Sequence, residues 1–417
     1  MNIYFAGIGG VGIGPLAQIA RDAGYRVQGS DTTESLTTQQ LRDQGVAISF
    51  VQDGSFLQSC HDEHPIDWLT YTSSLPPDHP ELALAKKLGI KTAKRDELLA
   101  HILKEKNLKL IAVAGTHGKT TTSGMLVWTL KQLGIPVSYS VGSTLSFGPS
   151  GVYTPDSQYF VYECDEFDRN FLHFSPYLSL ITNIDYDHPD SYPTEQSYLA
   201  AFRQFVDQSS LSIMWHVDGK RVNATADDGW ILRETEVAHI NLAGQHNRKN
   251  ATLVLKAAEY LGIGNPDQIR TILDTFPGTD RRFERLADNL FSDYGHHPTE
   301  IAATLQLARE ISSHVVLVYQ PHQNVRQHEI VNDYVHCFEL ADEVYWLPTY
   351  LSREDPTLPI LTPYELSKNV TNKSSIHFAD LDDALWSEIQ SAQKKGALVL
   401  AMGAGNIDHW LRSKLGN

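Results

Sequence analysis

Residues 113–122, VAGTHGKTTT, combine side chains suited to holding phosphate. Lys119 can neutralise charge on β- and γ-phosphates, the Thr120 hydroxyl can ligate magnesium, and glycines let backbone N–H groups face an anion. The Walker arrangement places a glycine five residues before Gly118, where this chain has Val113, and the nearer glycine is Gly115. The flanks decide between a chance string and a working loop. The apolar run LKLIAVA (residues 108–114) predicts a buried strand, and the spacing over residues 119–133 predicts a helix. A loop at that junction meets a helix N-terminus, where free amides gather around phosphate.

Two acidic segments close further predicted strands: YECDEFD (162–168) follows YFVYE, and TNIDYDHPD (182–190) follows LSLITN. Side chains there fall on the ligand edge of a parallel sheet, and Glu163 and His188 could each hold a divalent ion bridging to ATP phosphates. Near the N-terminus, GIGGVG sets Gly7, Gly9 and Gly12 between a strand and a helix, with Asp31 lying 19 residues beyond Gly12. Those glycines permit a tight turn and bring a diphosphate to the helix N-terminus. The pattern specifies a diphosphate and not, by itself, a nicotinamide cofactor. In GQHNRKNA (244–251), Asn247 and Asn250 share a helical face, and an amide there can read a purine edge. His296, His297 and His322 follow two predicted strands in the last third of the chain. A histidine with an ordinary pKa near ~6.5 could help deprotonate an amine, and the sequence leaves the choice among the three open.

Further strands are predicted at NIYFAG, YRVQGS, HVVLVY (314–319), EVYWL (343–347) and ALVLAM (397–402), with helical patterns between most of them. That alternation predicts parallel, doubly wound α/β sheets. Three domains are expected: a Rossmann-like domain over 1–107, a P-loop ATPase domain over 108–277 and a second Rossmann-like domain over 278–417. The first boundary is drawn at the polar stretch LKEKN (103–107), and the second at DTFPGTDRR (274–282), where Pro277 and Gly278 interrupt a helical pattern. The 417 residues are 41% hydrophobic and 20% charged, with a formal net charge of −16. No basic run could serve as a nucleic-acid footprint, so no nucleic-acid partner is expected. The three cysteines form no CxxC pair, which fits a reducing cytoplasm. The N-terminus lacks the charged start of a signal peptide, and no apolar run approaches ~20 residues, so neither export nor a membrane partner is expected.

Taken together and in this order, these segments resemble the Mur ligases, the ATP-dependent amino-acid ligases of peptidoglycan synthesis. That family uses a shortened loop, G-T-x-G-K-T/S, and GTHGKT (115–120) matches it at every defined position. The resemblance implies that Gly115, Thr116, Gly118, Lys119, Thr120 and Thr121 contact ATP and that Thr120, Glu163 and His188 hold Mg2+. Asn247 and Asn250 would join the ATP site, with Asn250 approaching adenine, and Arg282 with Asp293 would contact ATP from the C-terminal domain. Gly7, Gly9, Gly10, Gly12, Asp31 and Ser73 would hold UDP-N-acetylmuramic acid, with its diphosphate at the glycine-rich loop. His296, His322 and Arg326 would serve the acceptor side, Arg326 taking a carboxylate, while Lys119, His188 and His297 would act in catalysis.

Within the family, QGSD, SSLPPDHPE, DEFDRNFLH, DYGHHPTE and QPH resemble the branch that adds L-alanine. GPLAQIAR and the QN of HQNVR lean toward the branch that attaches the tripeptide L-Ala-γ-D-Glu-meso-diaminopimelate to the same nucleotide sugar. Gln323 stands where the alanine branch has arginine, and Gln52 near where a substrate-side histidine is expected. The implied reaction phosphorylates the lactyl carboxylate from ATP to an acyl phosphate, which an amine then attacks with loss of phosphate. With ATP contacts on two domains, domain closure is expected. The resemblance also implies a cytoplasmic monomer or homodimer. An NAD-dependent oxidoreductase would leave the GKTTT loop without a role, and a non-catalytic nucleotide-binding regulator would not need both Glu163 and His188.

Overall fold

The computed structural model describes every residue except Ser73, Ser74, Pro189, Asp190, Arg353 and Asn417. The chain forms two compact units, Met1–Val237 with Thr252–Ile272, and Ala238–Ala251 with Leu273–Asn417.

The first unit holds two sheets. One comprises β1 (Asn2–Ala6), β2 (Arg26–Ser30), β3 (Ala47–Ser49), β4 (Trp68–Tyr71) and β5 (Lys91–Lys94), ordered β3-β2-β1-β4-β5 and wholly parallel. The other comprises β6 (Lys109–Ala114), β7 (Val137–Ser140), β8 (Gly151–Val152), β9 (Tyr159–Glu163), β10 (Leu178–Ile181), β11 (Ser212–Trp215) and β12 (Gly229–Leu232), ordered β12-β11-β10-β6-β9-β7-β8. Only β8 among these runs antiparallel to its neighbour. One apolar core is continuous beneath both sheets, joining Leu99, Ile102 and Leu103 to Phe160, Phe171 and Phe202.

The second unit carries β13 (Glu284–Ala287), β14 (Leu290–Asp293), β15 (Val315–Tyr319), β16 (Glu343–Trp346), β17 (Ile376–Phe378) and β18 (Leu398–Met402), ordered β13-β14-β18-β15-β16-β17. Both faces of this sheet are covered. Val315, Leu317 and Tyr319 enter one core, while Val316 and Val318 enter the other. That two-sided burial is why VVLVY and LVLAM read as unbroken apolar runs instead of alternating ones.

Each run read from the sequence as a strand forms one, with some ends trimmed. The stretch LKEKN is a linker only in its last two residues, Lys106 and Asn107. It begins inside the helix Arg95–Glu105, where Leu98, Leu99, Ile102 and Leu103 are buried and the exposed Lys104 and Glu105 supply the polar look of a loop. Shorter and more polar strands such as β3, β5 and the β13–β14 hairpin carry too little apolar pattern to be read beforehand. Among the described residues no helix is long and apolar enough to cross a membrane.

Candidate active site

Strands β9, β6 and β10 are neighbours, and their register sets Val113 opposite Glu163 on one side and Leu180 on the other. The segments that follow them therefore emerge together at one sheet edge, at the switch point where parallel sheets bind ligands. Val113 is fully buried within β6, so no loop glycine is needed there. The glycine is needed two residues later. Gly115 has φ +131°, and a Cβ on it would stand 2.2 Å from Thr182 Oγ1 and 2.7 Å from the Asn183 carbonyl oxygen. The end of β10 then laces the loop in place. The Thr116 N–H donates to the Asn183 carbonyl at 3.1 Å and the His117 N–H to Asn183 Oδ1 at 3.0 Å, while Thr182 Oγ1 and Asn183 Nδ2 donate to the His117 carbonyl at 2.6 and 2.8 Å. Thr116 Oγ1 also lies 2.8 Å from the Tyr198 hydroxyl.

Gly118, with φ +80°, caps the helix Lys119–Gln132. Lys119 Nζ turns back to donate to the carbonyls of Gly115 at 2.6 Å and Thr116 at 3.1 Å, and to Glu166 Oε2 at 2.8 Å. Burial alone would lower the lysine pKa, but anionic Glu166, then Asp165 and Glu163, hold it above the ordinary value. Burial pushes the Glu166 carboxyl up, and Lys119 with His188 outweighs this and leaves it below the usual range. His188, at φ +59°, places Nε2 3.6 Å from Glu166 Oε1. Burial depresses the imidazole, yet Glu166, Asp187 and Asp165 raise its pKa overall.

The sequence analysis singled out Glu163 and His188 and passed over Glu166. In the structure Glu163 faces the helix start, accepting from Thr120 Oγ1 at 2.8 Å and from the Gly142 N–H at 2.6 Å. His188 instead groups with Asp165 and Glu166, their ligand atoms all within 4.8 Å of one another. Glu166 is the carboxylate common to Lys119 and His188, and the DE pair one residue past the end of β9, after Cys164, is its signal in the sequence. Thr121, the residue after Thr120 in the same helix, is half-buried.

In the first sheet, the glycine-rich loop leaves β1 beside β4, where the strand order reverses. Gly7 has φ +80° and a Cβ there would meet Thr72 Cγ2 at 2.7 Å. The Gly7 and Ile8 N–H groups donate to the Ser30 carbonyl at 2.8 and 2.9 Å, and the Gly10 N–H to the Gly7 carbonyl at 3.1 Å. Asp31 buttresses the loop itself, its Oδ2 accepting the Gly9 N–H at 2.7 Å. Gly9 is small because of the protein's own side chains: a Cβ there would lie 2.7 Å from Thr38 Cγ2 and 2.9 Å from Ser35 Oγ. Gly12 caps the helix Ile13–Asp22 without a side-chain cap. Gln52 Nε2 donates to Ser30 Oγ at 3.0 Å. Ser73 lies outside the described residues.

In the second unit, β14, β18 and β15 are neighbours, so the segments after β14 and β15 share an edge. Asp293 uses both oxygens on its own turn, accepting from the Phe283 N–H at 2.8 Å and the Gly295 N–H at 2.7 Å. Burial raises its carboxyl to about 6 despite the opposing charge of Arg282. Arg282 lies over the Tyr294 ring, 5.3 Å from its centroid. His296 contacts the Arg326 guanidinium through Nε2, and its ring stands 5.6 Å from that of His322, edge to face. Burial pulls the His296 pKa down to about 4, against the pull of Glu300. His322 stacks on Tyr350 with ring centroids 5.8 Å apart. His297 is set apart from this trio as the cap of the helix Pro298–Ile311, accepting from the Thr299 N–H at 3.4 Å. In the helix Gln245–Leu261, Asn247 Nδ2 donates to the Ala243 carbonyl at 3.0 Å, and Asn250 is buried.

Three stretches of the chain match family descriptions: the Mur ligase family catalytic domain over residues 2–107, the Mur ligase middle domain over 113–229, and the Mur ligase glutamate ligase domain over 281–405. The UDP-N-acetylmuramate–L-alanine ligase of Gloeobacter violaceus is 31% identical, the match covering 97% of this chain and 93% of that protein. The enzyme of the same name from Kineococcus radiotolerans is 32% identical, with 97% and 94% covered. In fold, the chain is similar to the UDP-N-acetylmuramate–alanine ligase of Thermotoga maritima, with TM-score 0.74, 24% identity and 100% and 98% coverage. It is also similar to a murein peptide ligase from Psychrobacter arcticus, with TM-score 0.64, 23% identity and 100% and 98% coverage. With relatives matched along nearly their whole length and a phosphate-type loop laced to the edge of its central sheet, the chain belongs to the Mur ligase family.

Proposed function

We propose that the chain joins L-alanine to the lactyl carboxylate of UDP-N-acetylmuramic acid, with ATP cleaved to ADP and phosphate. The observation that carries this reading is Lys119, held between the loop carbonyls and Glu166 at the edge of the central sheet, in a chain matched end to end by L-alanine ligases. The assignment divides the chain into 1–107 for the nucleotide sugar, 108–277 for ATP and 278–417 for the incoming amino acid.

A carboxylate is inert to amines because its leaving group would be oxide, and phosphorylation supplies a better one. Two anions must then approach each other. Lys119 reduces that repulsion and stabilises the transferring phosphoryl group, and the amides at the start of its helix receive the remaining phosphate oxygens. Glu166 keeps Lys119 charged and aimed. The oxygens of Asp165 and Glu166, with His188 beside them, suit a small hard cation, and Thr120 with Glu163 offers further oxygens at the helix start. Glu166 Oε1 is buried, with His188 Nε2 at 3.6 Å and no hydrogen-bond partner among the described residues, which fits such a cation in that position. Bound magnesium would supply charge against the ATP phosphates.

For the second unit, this reading gives Asn247, Asn250 and Arg282 to ATP, with Asp293 fixing the turn that carries Arg282. Arg326 receives the amino acid's carboxylate. His296, uncharged at neutral pH, orients that arginine and is too weak a base to take a proton from an ammonium group. Phosphate release from ATP with UDP-N-acetylmuramic acid, screened against L-alanine, L-serine, glycine and the tripeptide, tests the proposal. L-Alanine is expected to drive turnover, and tripeptide turnover without alanine turnover would overturn the amine assignment.

A further inference from the structure

Strand β5 ends at Lys94, and the helix Arg95–Glu105 begins at once, at the same sheet edge as the glycine-rich loop. The Arg95 guanidinium lies along that loop: a Cβ built on Gly12 would stand 3.0 Å from Nη1 and 3.6 Å from Cδ. Nε and Nη2 each donate to Asp96 at 3.3 Å, whereas Nη1 makes no hydrogen bond among the described residues. Asp96 is 2% exposed, and its other partner is the Tyr162 hydroxyl, from the central sheet and one residue before Glu163. Lys94 and Asp168 make a second tie across the same seam, at 2.6 Å.

Burying Asp96 carries a desolvation cost that apolar side chains of similar volume would avoid, so this cluster is better explained by orientation than by stability. With Nε and Nη2 committed to Asp96, the planar guanidinium has one orientation, and its spare Nη1 lies against the glycine-rich loop. We propose that Arg95 binds the diphosphate of the nucleotide sugar through Nη1, and that Asp96 and Tyr162 are positioning residues by which the central sheet fixes that contact. The proposal rests on the reading that the glycine-rich loop takes UDP-N-acetylmuramic acid.

The test is calorimetric titration of the full chain with UDP and, separately, with ATP. Arg95→Ala is expected to weaken UDP by at least ~10-fold while leaving ATP affinity unchanged, and Arg95→Lys, which keeps the charge but not the fork, to recover part of the loss. Tyr162→Phe leaves every charge in place and removes one hydroxyl. It should weaken UDP several-fold, and the Arg95→Ala/Tyr162→Phe double variant should be no worse than Arg95→Ala alone. The same pattern should appear in KM for UDP-N-acetylmuramic acid, with KM for ATP unmoved. Arg95→Lys supplies the folded comparison should Arg95→Ala fail to fold, and in that case wild-type UDP affinity in Arg95→Lys overturns the proposal. Wild-type UDP affinity in a folded Arg95→Ala protein, or losses that add in the double variant, would also overturn it, while leaving the loop assignment standing. A wild-type chain that binds no UDP would overturn both.

Discussion

Glu166 Oε2 stands 2.8 Å from Lys119 Nζ, and the carboxylate side chain is 1% exposed. The lysine expected to meet phosphate is thus also the main countercharge of a buried anion. Lys119→Ala should lower turnover by at least ~10²-fold through loss of a transition-state cation. It should also destabilise the first unit by ~3–5 kcal/mol, because Glu166 is left buried with only His188, at 3.6 Å, to offset its charge. Adding Glu166→Gln should restore much of the stability and none of the rate. Chemical denaturation alongside phosphate release separates the two effects, and near-normal ligation by Lys119→Ala would sink the loop assignment.

His188→Ala should raise the magnesium concentration needed for half-maximal activity, since the imidazole shares Glu166 with Lys119 and groups with Asp165. Superimposable metal titrations of variant and wild type would make His188 a loop residue only.

Gly9→Val should lower both the stability of the first unit and its affinity for UDP-N-acetylmuramic acid. The new side chain meets Thr38, Ser35 and Asp31, and overpacking of this kind costs ~1–3 kcal/mol. ATP affinity should be unchanged. A variant with normal melting and normal UDP-sugar binding would show that the loop has more room than its backbone indicates.

His296 has a folded pKa of about 4 and a side chain 15% exposed. Its ordinary pKa is ~6.5, so the unfolded chain takes up the proton first as pH falls, and the stabilising contribution, full above ~6.5, is lost toward 4. Between pH 7 and 5 the loss is about 2 kcal/mol. Asp293, raised to about 6, titrates in the opposite sense over part of this window, because its neutral form is the one burial favours. The measurement is therefore a difference: urea unfolding of His296→Gln against wild type at both pH values. The gap between the two proteins should shrink on acidification, and a constant gap would refute the assignment.

Gln323→Arg should lower KM for L-alanine by ~5–10-fold, since an arginine can add a second, bidentate hold on the carboxylate. Gln323 already has φ +62°, so the exchange introduces no new kind of backbone strain. Competition between L-alanine and the tripeptide in wild type and variant reads out the change, and an unaltered alanine KM would place residue 323 away from the acceptor.

The loops were legible in the sequence because each joins an unbroken apolar strand to a helical pattern, and that junction alone sets them at a sheet edge. Which carboxylate turns inward was not. Alternation of faces ends with the strand at Glu163, and beyond it periodicity cannot rank Glu163, Asp165 and Glu166. The adjacent histidines show the same limit. His296 enters the cluster with Arg326 while His297 caps a helix, and only the turn around Asp293 and Gly295 decides which does which. LKEKN reads as loop throughout for a different reason, since its first three residues are a helical last turn whose solvent face has the composition of a loop.

The core that passes beneath both sheets of the first unit has a consequence for folding. Leu99, Ile102 and Leu103 pack in the same cluster as Phe160 and Phe171, so a fragment ending near residue 107 would lay that apolar surface open to water. The proposed division at 107 therefore separates two ligands without separating two cooperative units. Nucleotide sugar bound to the glycine-rich loop of one sheet should therefore raise the melting temperature of the other as well.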